Sequence, residues 1–155
     1  MQPQLQLLAY VALAMFLGGL VGWDREAARK PAGLRTHMLV AGSAALLVLL
    51  GQVTVKNYDS ELVSHLTSDP LRIIEAVVTG VSFLGAGTII RNQRQENQVE
   101  GLTTAASLLL AAAIGISVAL SQFILAVGLT LLILFVLRFL GYLADRISEQ
   151  TKPTS

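Results

Sequence analysis

One stretch of the chain combines a membrane-spanning length with polar side chains, among them a carboxylate that could bind a cation. Residues 71–90 are almost wholly apolar over the length needed to cross a bilayer, yet they include Glu75, Thr79 and Ser82. Positions i, i+4 and i+7 lie on one face of a helix. Because a carboxylate in a membrane segment is costly, we expect this face to lie against protein or a water-filled cavity rather than lipid.

The segment 24–35, DREAARKPAGLR, is the densest charge cluster of the chain. Its excess of basic residues predicts a cytoplasmic position. Two interpretations stay open: a solvated positive-inside loop, which charge alone favours, and an ion or lipid-headgroup site. Magnesium prefers oxygen ligands and keeps several waters, so Asp24, Glu26 and Glu75 are weak candidate metal ligands. We expect the first two and the third near opposite faces of the membrane, which leaves one copy without an obvious single cage.

The composition predicts the class of protein. Hydrophobic residues make up 54% of the 155 positions, more than a soluble domain of this size could bury, and charged residues only 14%. The net charge of +1 gives no reason to expect nucleic acid, and the absence of cysteine excludes disulfides and thiolate chemistry. His37 and His65 belong to different segments, and neither has a second His or Cys at ligand spacing. Without a nucleophile–base pair, metal cluster or phosphate loop, we do not expect an enzyme.

The apolar runs predict an all-α, polytopic integral membrane protein with about five transmembrane helices. A membrane domain, 1–145, and a short polar tail, 146–155, contain the predicted spans 5–23, 36–55, 71–90, 102–120 and 123–142. Five spans place the two termini on opposite sides. The loop charges then predict an external N-terminus and a cytoplasmic C-terminus.

An internal repeat links the first four spans. Gly33-Leu34-Arg35-Thr36 and Gly101-Leu102-Thr103-Thr104 recur at the same offset as Gly19 and Gly87. The pattern predicts two parallel helix-hairpin repeats followed by a fifth helix, an arrangement known from transporter folds. The alternative is chance identity between two sequences rich in alanine and leucine.

Three pieces of the chain, GGLVGWDREAARKPAGLRTHMLV, DPLRIIEAVVTGVSFLGAGTIIR and VEGLTTAASLLLAAAIG, resemble the membrane domain of the MgtC/SapB family. The resemblance implies a bacterial inner-membrane protein linked to growth at low magnesium and, in some pathogens, to virulence through survival inside macrophages. Many members carry a C-terminal soluble domain, so we expect a short form to which functions of that domain do not transfer. Glu75 and Ser82 stand where the family usually has small uncharged residues, and Asp24 where we would expect Glu.

Residue types and resemblance together predict a functional motif in the first four spans and the charged segments that join them. Its members are Asp24, Arg25, Glu26, Lys30, Arg35, Thr36, Thr79, Gly85, Gly87, Arg91, Gly101, Thr103 and Thr104. Within it, we expect Arg25, Glu26 and Arg35 to form a charge network that joins the end of the first helix to the Gly101–Thr104 turn.

Two function classes follow. The first, which the resemblance implies, is a magnesium-homeostasis protein that modulates another membrane protein such as an ATPase, and the alternative is a small Mg²⁺ transporter or channel. We expect no resident cofactor, with Mg²⁺ the one ion that the carboxylates could bind. The expected partners are the lipid bilayer, that ATPase and a second copy of the chain, with helix one or three near the dimer interface.

Overall fold

The computed structural model describes residues 3–58, 71–92 and 101–141 and contains only helices there, which confirms the all-α prediction. The elements are α1 Pro3–Ala27, α2 Leu34–Tyr58, α3 Leu71–Asn92, α4 Gly101–Ala119 and α5 Phe123–Phe135, and the last continues as a π-helix, Val136–Leu140. Five helices therefore occur near the predicted spans. The polar tail 146–155 lies outside the described residues.

Four of these helices are long and apolar enough to cross a membrane. They are Gln4–Ala27, Leu34–Val55, Leu71–Ile90 and Gly101–Ala119. The predicted fifth span corresponds to a shorter apolar helix, Phe123–Phe139. The first helix extends four residues beyond the predicted end at Trp23 into the charged segment, because nothing before Pro31 forbids a helical backbone.

Helix α4 lies at the centre of the bundle. It packs against all four other helices, and 56% of its apolar window is buried. Helix α3 lies at the periphery, with only 17% of its window buried, and packs chiefly on α4. Small residues, mostly alanine, line much of α4, so the surrounding helices can approach it closely.

Glycines set the closest helix approaches. A Cβ at Gly18 would lie 2.6 Å from the Ala41 Cβ, and one at Gly22 would lie 2.7 Å from the Leu34 Cα. On α4, a Cβ at Gly115 would overlap the Ala41 carbonyl oxygen. The GxxxG pair of α1 is therefore used inside the chain, where it brings α1 and α2 together.

A left-handed residue turns the chain from α1 towards α2. Arg29 has φ 54°. The Lys30 amide donates to the Arg25 carbonyl and the Arg29 amide to that of Glu26, each at 3.0 Å. This pair of bonds is the Schellman ending of a helix, and Pro31 follows it at a usual distance. The turn keeps the end of α1 beside the start of α2.

Helices α2 and α4 run parallel, as the repeat predicts. Near their starts His37 contacts Ser107, and further along Ala41 and Ala45 approach Gly115. Contacts whose numbers rise together on both helices indicate a parallel pair. The starts of α2 and α4 and the end of α1 therefore meet at one end of the bundle.

Candidate functional site

Arg25 ties the end of α1 to the start of α4. Its Nη2 donates a hydrogen bond of 2.9 Å to Oγ1 of Thr104. Arg25 is 5% exposed and Thr104 is fully buried, so a guanidinium charge lies inside the bundle. A buried hydrogen bond to a charged group contributes more than a neutral one. This contact matches the predicted link between the first helix and the Gly101–Thr104 turn.

Glu26 caps the start of α2. Its Oε2 accepts a 2.8 Å hydrogen bond from the Leu34 amide, one of the amides that the first turn of a helix leaves without an intrahelical partner. A Cβ at Gly33 would lie 2.7 Å from that same oxygen. Glycine at position 33 therefore lets the carboxylate reach the helix end, where a negative charge also complements the helix dipole.

His37 on α2 is fully buried, and its side chain lies between α1 and α4. Its Nδ1 is 2.9 Å from the Gly33 carbonyl oxygen, and its Nε2 is 3.1 Å from Oγ of Ser107. The Ser107 hydroxyl is also placed to donate to the Thr104 carbonyl, at 2.8 Å. A chain of polar contacts thus runs from the start of α2 through α4 to Arg25. We call these four residues, Arg25, His37, Thr104 and Ser107, the inner polar cluster.

Asp24 pairs with an arginine from the last helical segment. The Nε of Arg138 lies 2.7 Å from Oδ1 of Asp24. The aspartate is 15% exposed, but the arginine is 71% exposed and also reaches outward as an interfacial arginine can. The pair joins the end of α1 to the π-helical turn that follows α5, so this carboxylate has a structural partner.

The stripe on α3 faces away from the rest of the chain. Glu75, Thr79 and Ser82 are all exposed. The Thr79 hydroxyl donates to the Glu75 carbonyl at 2.8 Å, and that of Ser82 to the Val78 carbonyl at 2.7 Å. Within the described part of the chain, no side chain hydrogen bond or ion pair to the Glu75 carboxylate is present.

The other motif residues divide between packing positions and exposed ones. A Cβ at Gly85 would lie 3.1 Å from that of Ala105, and one at Gly101 would lie 2.7 Å from the Ile89 Cα, so both glycines bring α3 and α4 together. Arg35, Thr36 and Thr103 are exposed, Lys30 is half-buried and Gly87 faces open space. The Arg91 side chain lies outside the described part of the structure, as does His65.

The structure brings together only part of the predicted charge network. Arg25 donates to Thr104, and Glu26 accepts from Leu34. Arg35 is exposed, and within the described residues it makes no hydrogen bond to Arg25 or Glu26. The described residues hold no group of three or more His, Cys, Asp or Glu side chains that could bind a metal. The arrangement joins helix ends; it does not form an oxygen cage.

Sequence reasoning missed His37, Ser107 and Arg138 as members of this region. A signal existed for the first: His37, Ala41 and Ala44 recur at i, i+4 and i+7, the spacing of a buried helix face. Ser107 follows Thr104 by three residues and therefore lies on the same face of α4. No local signal predicts that Arg138 meets Asp24, because they are 114 positions apart.

The comparison with protein families identifies the family of this chain. The model of the MgtC family matches residues 11–146. The chain belongs to the MgtC family. The match includes α1 from residue 11 onwards, the other three long apolar helices and the inner polar cluster, so the chain is a multi-pass membrane protein of this family.

Individual relatives agree. The protein MgtC of Salmonella typhimurium (strain LT2) is 38% identical over 136 residues, which are 88% of this chain and 53% of that protein. The "Putative magnesium transporter YhiD" of Escherichia coli (strain K12) is 36% identical over 139 residues, 89% of this chain and 62% of YhiD. An uncharacterized protein of Haemophilus influenzae is 34% identical over 126 residues, 81% of this chain and 52% of that relative. The chain thus spans about half the length of the curated relatives it matches. No solved structure matches it significantly.

Proposed function

We propose that the protein serves magnesium homeostasis and adaptation to low magnesium by modulating another membrane protein, such as an ATPase. Membership of the MgtC family supports the magnesium link, and the printed name of the relative YhiD associates that protein with magnesium. The alternative is that the chain itself is a small Mg²⁺ transporter or channel.

The observation that carries the proposal is the position of the three candidate carboxylates. Asp24 is paired with Arg138, and Glu26 caps α2. Glu75 is exposed on α3. It lies ten residues, and therefore about 15 Å along the helix axis, from Gly85, the α3 residue that packs against Ala105 near the start of α4. Magnesium sites use carboxylates that converge on one point. These three do not converge within one copy, which favours action through another protein.

Growth at low magnesium tests this proposal with variants that keep geometry and remove charge. Asp24→Asn and Glu26→Gln retain a carbonyl oxygen that can accept the bonds from Arg138 and from the Leu34 amide. If the carboxylates are structural, both variants support growth of a strain that needs the protein at low magnesium. If either carboxylate is a Mg²⁺ ligand of a transporter, its amide variant fails while the protein still accumulates in the membrane.

We also propose a homodimer that uses α3 rather than α1. The paired glycines of α1 are occupied within the chain, whereas a Cβ at Gly80 or Gly87 of α3 would meet nothing within 4 Å. A helix that faces only lipid gains nothing from small residues, but close helix contact requires them. Arg72 and Glu75 are both exposed one turn apart, so a twofold partner can offer each charge its opposite.

A cysteine-free chain makes the dimer proposal easy to test by disulfide cross-linking. Gly80→Cys on α3 and Gly128→Cys on α5 both place a thiol in open space, which makes them a matched pair. We expect a cross-linked dimer from the first variant and none from the second, together with a dimer in native mass spectrometry in mild detergent. A monomer in both measurements, under conditions that cross-link a known dimer, overturns the proposal.

We propose the bacterial inner membrane as the location, with the N-terminus outside and the C-terminus in the cytoplasm. The basic segment 24–35 supports this orientation through the positive-inside rule. Cysteines at positions 28 and 60 can be labelled with an impermeant reagent in intact cells. We expect labelling at position 60 alone, and labelling at position 28 alone would reverse the orientation.

A further inference from the structure

The hydrogen bonds of His37 fix the place of one of its protons. A carbonyl oxygen can only accept, so the contact of 2.9 Å between Nδ1 and the Gly33 carbonyl requires a proton on Nδ1. The same Gly33 carbonyl oxygen also accepts a 3.2 Å hydrogen bond from the His37 backbone amide. The protonation state of the imidazole is then decided at Nε2 alone.

Ser107 is placed to serve Nε2 in either state. Its Oγ lies 3.1 Å from Nε2 and 2.8 Å from the Thr104 carbonyl oxygen, but a hydroxyl has one proton to donate. When His37 is neutral, Nε2 accepts a hydrogen bond from the Ser107 hydroxyl. When His37 is charged, Nε2 donates to Oγ and the hydroxyl turns to Thr104. The side-chain donors of His37 and Ser107 therefore have acceptors in both states, although the ring is fully buried.

The charges around His37 come from one neighbouring helix. Arg25 on α1 is close enough to interact electrostatically with the ring, and its guanidinium donates to the Thr104 side chain at 2.9 Å. Helix α4 has no titratable side chain along its whole length. On α2 itself, Arg35 is exposed, and on α1 the carboxylate of Glu26 accepts the Leu34 amide. Protonation of His37 therefore places a second positive charge near the buried guanidinium of Arg25. The two charges repel each other strongly because the interior has a low dielectric constant.

We propose that the inner polar cluster is a proton-binding site, at which protonation of His37 turns the Ser107 hydroxyl onto the Thr104 carbonyl and changes the hold of Arg25 on α4. Histidine is the side chain whose ordinary charge change falls between about pH 5 and 8, the range that a cell interior or its surroundings can cross. The site lies one turn from the start of α2, at the end of the bundle that carries the basic segment 24–35. Because α4 packs against every other helix, a change in its first turn can alter its packing against all of them.

The proposal differs from the simpler view that His37 is a core histidine in one fixed state. A fixed histidine would neither gain a proton nor change the hydrogen bond at Thr104 when the pH changes. It also differs from the proposed magnesium role, because it concerns proton binding by the isolated protein. A negative result here leaves the growth experiment at low magnesium unaffected.

Solid-state NMR of the whole chain in lipid bilayers tests the site directly. With ¹⁵N-histidine and His65→Gln, every imidazole signal belongs to His37, since the chain has two histidines. Across about pH 5 to 8 we expect Nε2 to change from a bare to a protonated nitrogen while Nδ1 stays protonated. An Nε2 that keeps one state over this range overturns the proposal.

The second readout is the Thr104 carbonyl. Thr104–Ala105 is the one Thr–Ala pair of the sequence, so ¹³C-carbonyl threonine with ¹⁵N-alanine selects this carbonyl. We expect its resonance to shift with the same pH midpoint as Nε2, and the shift to vanish in Ser107→Ala. The matched control is the Ala113 carbonyl, which accepts a 2.8 Å bond from Ser117 with no histidine nearby and is selected by the unique Ala–Ile pair. Equal shifts at both carbonyls, or an unchanged Thr104 shift in Ser107→Ala, contradict the proposed coupling.

Discussion

Replacing Thr104 by valine removes the side-chain acceptor of Arg25 and keeps the shape of the residue. Thr104 is fully buried and receives the Arg25 Nη2 at 2.9 Å, so no water can take the place of the lost hydroxyl without a rearrangement. We expect Thr104→Val to destabilise the fold because it leaves a buried charged donor without this acceptor. Thr103→Val, next to it on the exposed face of α4, is the matched control.

The magnitude follows from two ranges. Hydrogen bonds to charged groups contribute about 1.5–3 kcal/mol in soluble proteins. Hydrogen bonds between membrane helices average about 0.6 kcal/mol and reach about 1.7 kcal/mol. The charge and the burial place this bond at the upper end of the second range, so we expect a loss of about 1.5 kcal/mol. That loss is roughly a tenfold change in the folding equilibrium.

Reversible unfolding in mixed micelles, followed by the fluorescence of Trp23, measures both variants. A double-mutant cycle of Thr104→Val with Arg25→Met isolates the pair, and we expect a coupling of about 1 kcal/mol or more, since the residues are in contact. The expected loss for Thr103→Val lies within about 0.5 kcal/mol of zero. Equal effects at positions 103 and 104, with no coupling in the cycle, would refute the reasoning.

Three further predictions concern the helix contacts. Gly115→Ala should destabilise the fold by about 1–3 kcal/mol, because the added Cβ would overlap the backbone of α2. Gly128→Ala adds its Cβ in open space and should stabilise the fold by up to about 1 kcal/mol. Thermal unfolding of both variants in the same detergent measures the difference. Glu26→Ala should cost about 0.5–2 kcal/mol through the lost cap and Glu26→Gln much less, as measured by the same unfolding assay. Arg138→Gln should change stability by at most about 1 kcal/mol, because the arginine side of its ion pair with Asp24 is 71% exposed, and a larger loss in low-salt unfolding would contradict this.

The fold could be predicted from the sequence because membrane helices depend on one local property. An apolar run of the right length must form a helix to satisfy its backbone in lipid, and four of the runs do so within a few residues of the predicted limits. The predicted membrane span ends at Trp23, and α1 continues to Ala27, because a helix can extend beyond its apolar run into the interface. The helix ended where the left-handed Arg29 reversed the chain.

The candidate site could be predicted only in part, because residue type does not reveal which face of a helix is covered. Arg25 and Thr104 were both expected in the functional motif, and they contact each other where the end of α1 meets the start of α4. Arg35 has the same side chain as Arg25, but it lies on an exposed face of α2. The spacing of His37 with Ala41 and Ala44 indicates a buried face but not the polar partner of the ring. Ser107 becomes that partner only when α2 and α4 pack in parallel.

Magnesium flux into sealed vesicles tests the central claim most directly. The purified chain is reconstituted as the sole protein, and entry of Mg²⁺ is followed with a trapped indicator, with and without a membrane potential and a proton gradient. We predict no flux above that of empty vesicles, from a preparation of the same chain that restores growth at low magnesium in cells. Protein-dependent flux that is lost in Asp24→Asn, Glu26→Gln or Glu75→Gln would contradict the regulatory account and establish the chain as a transporter.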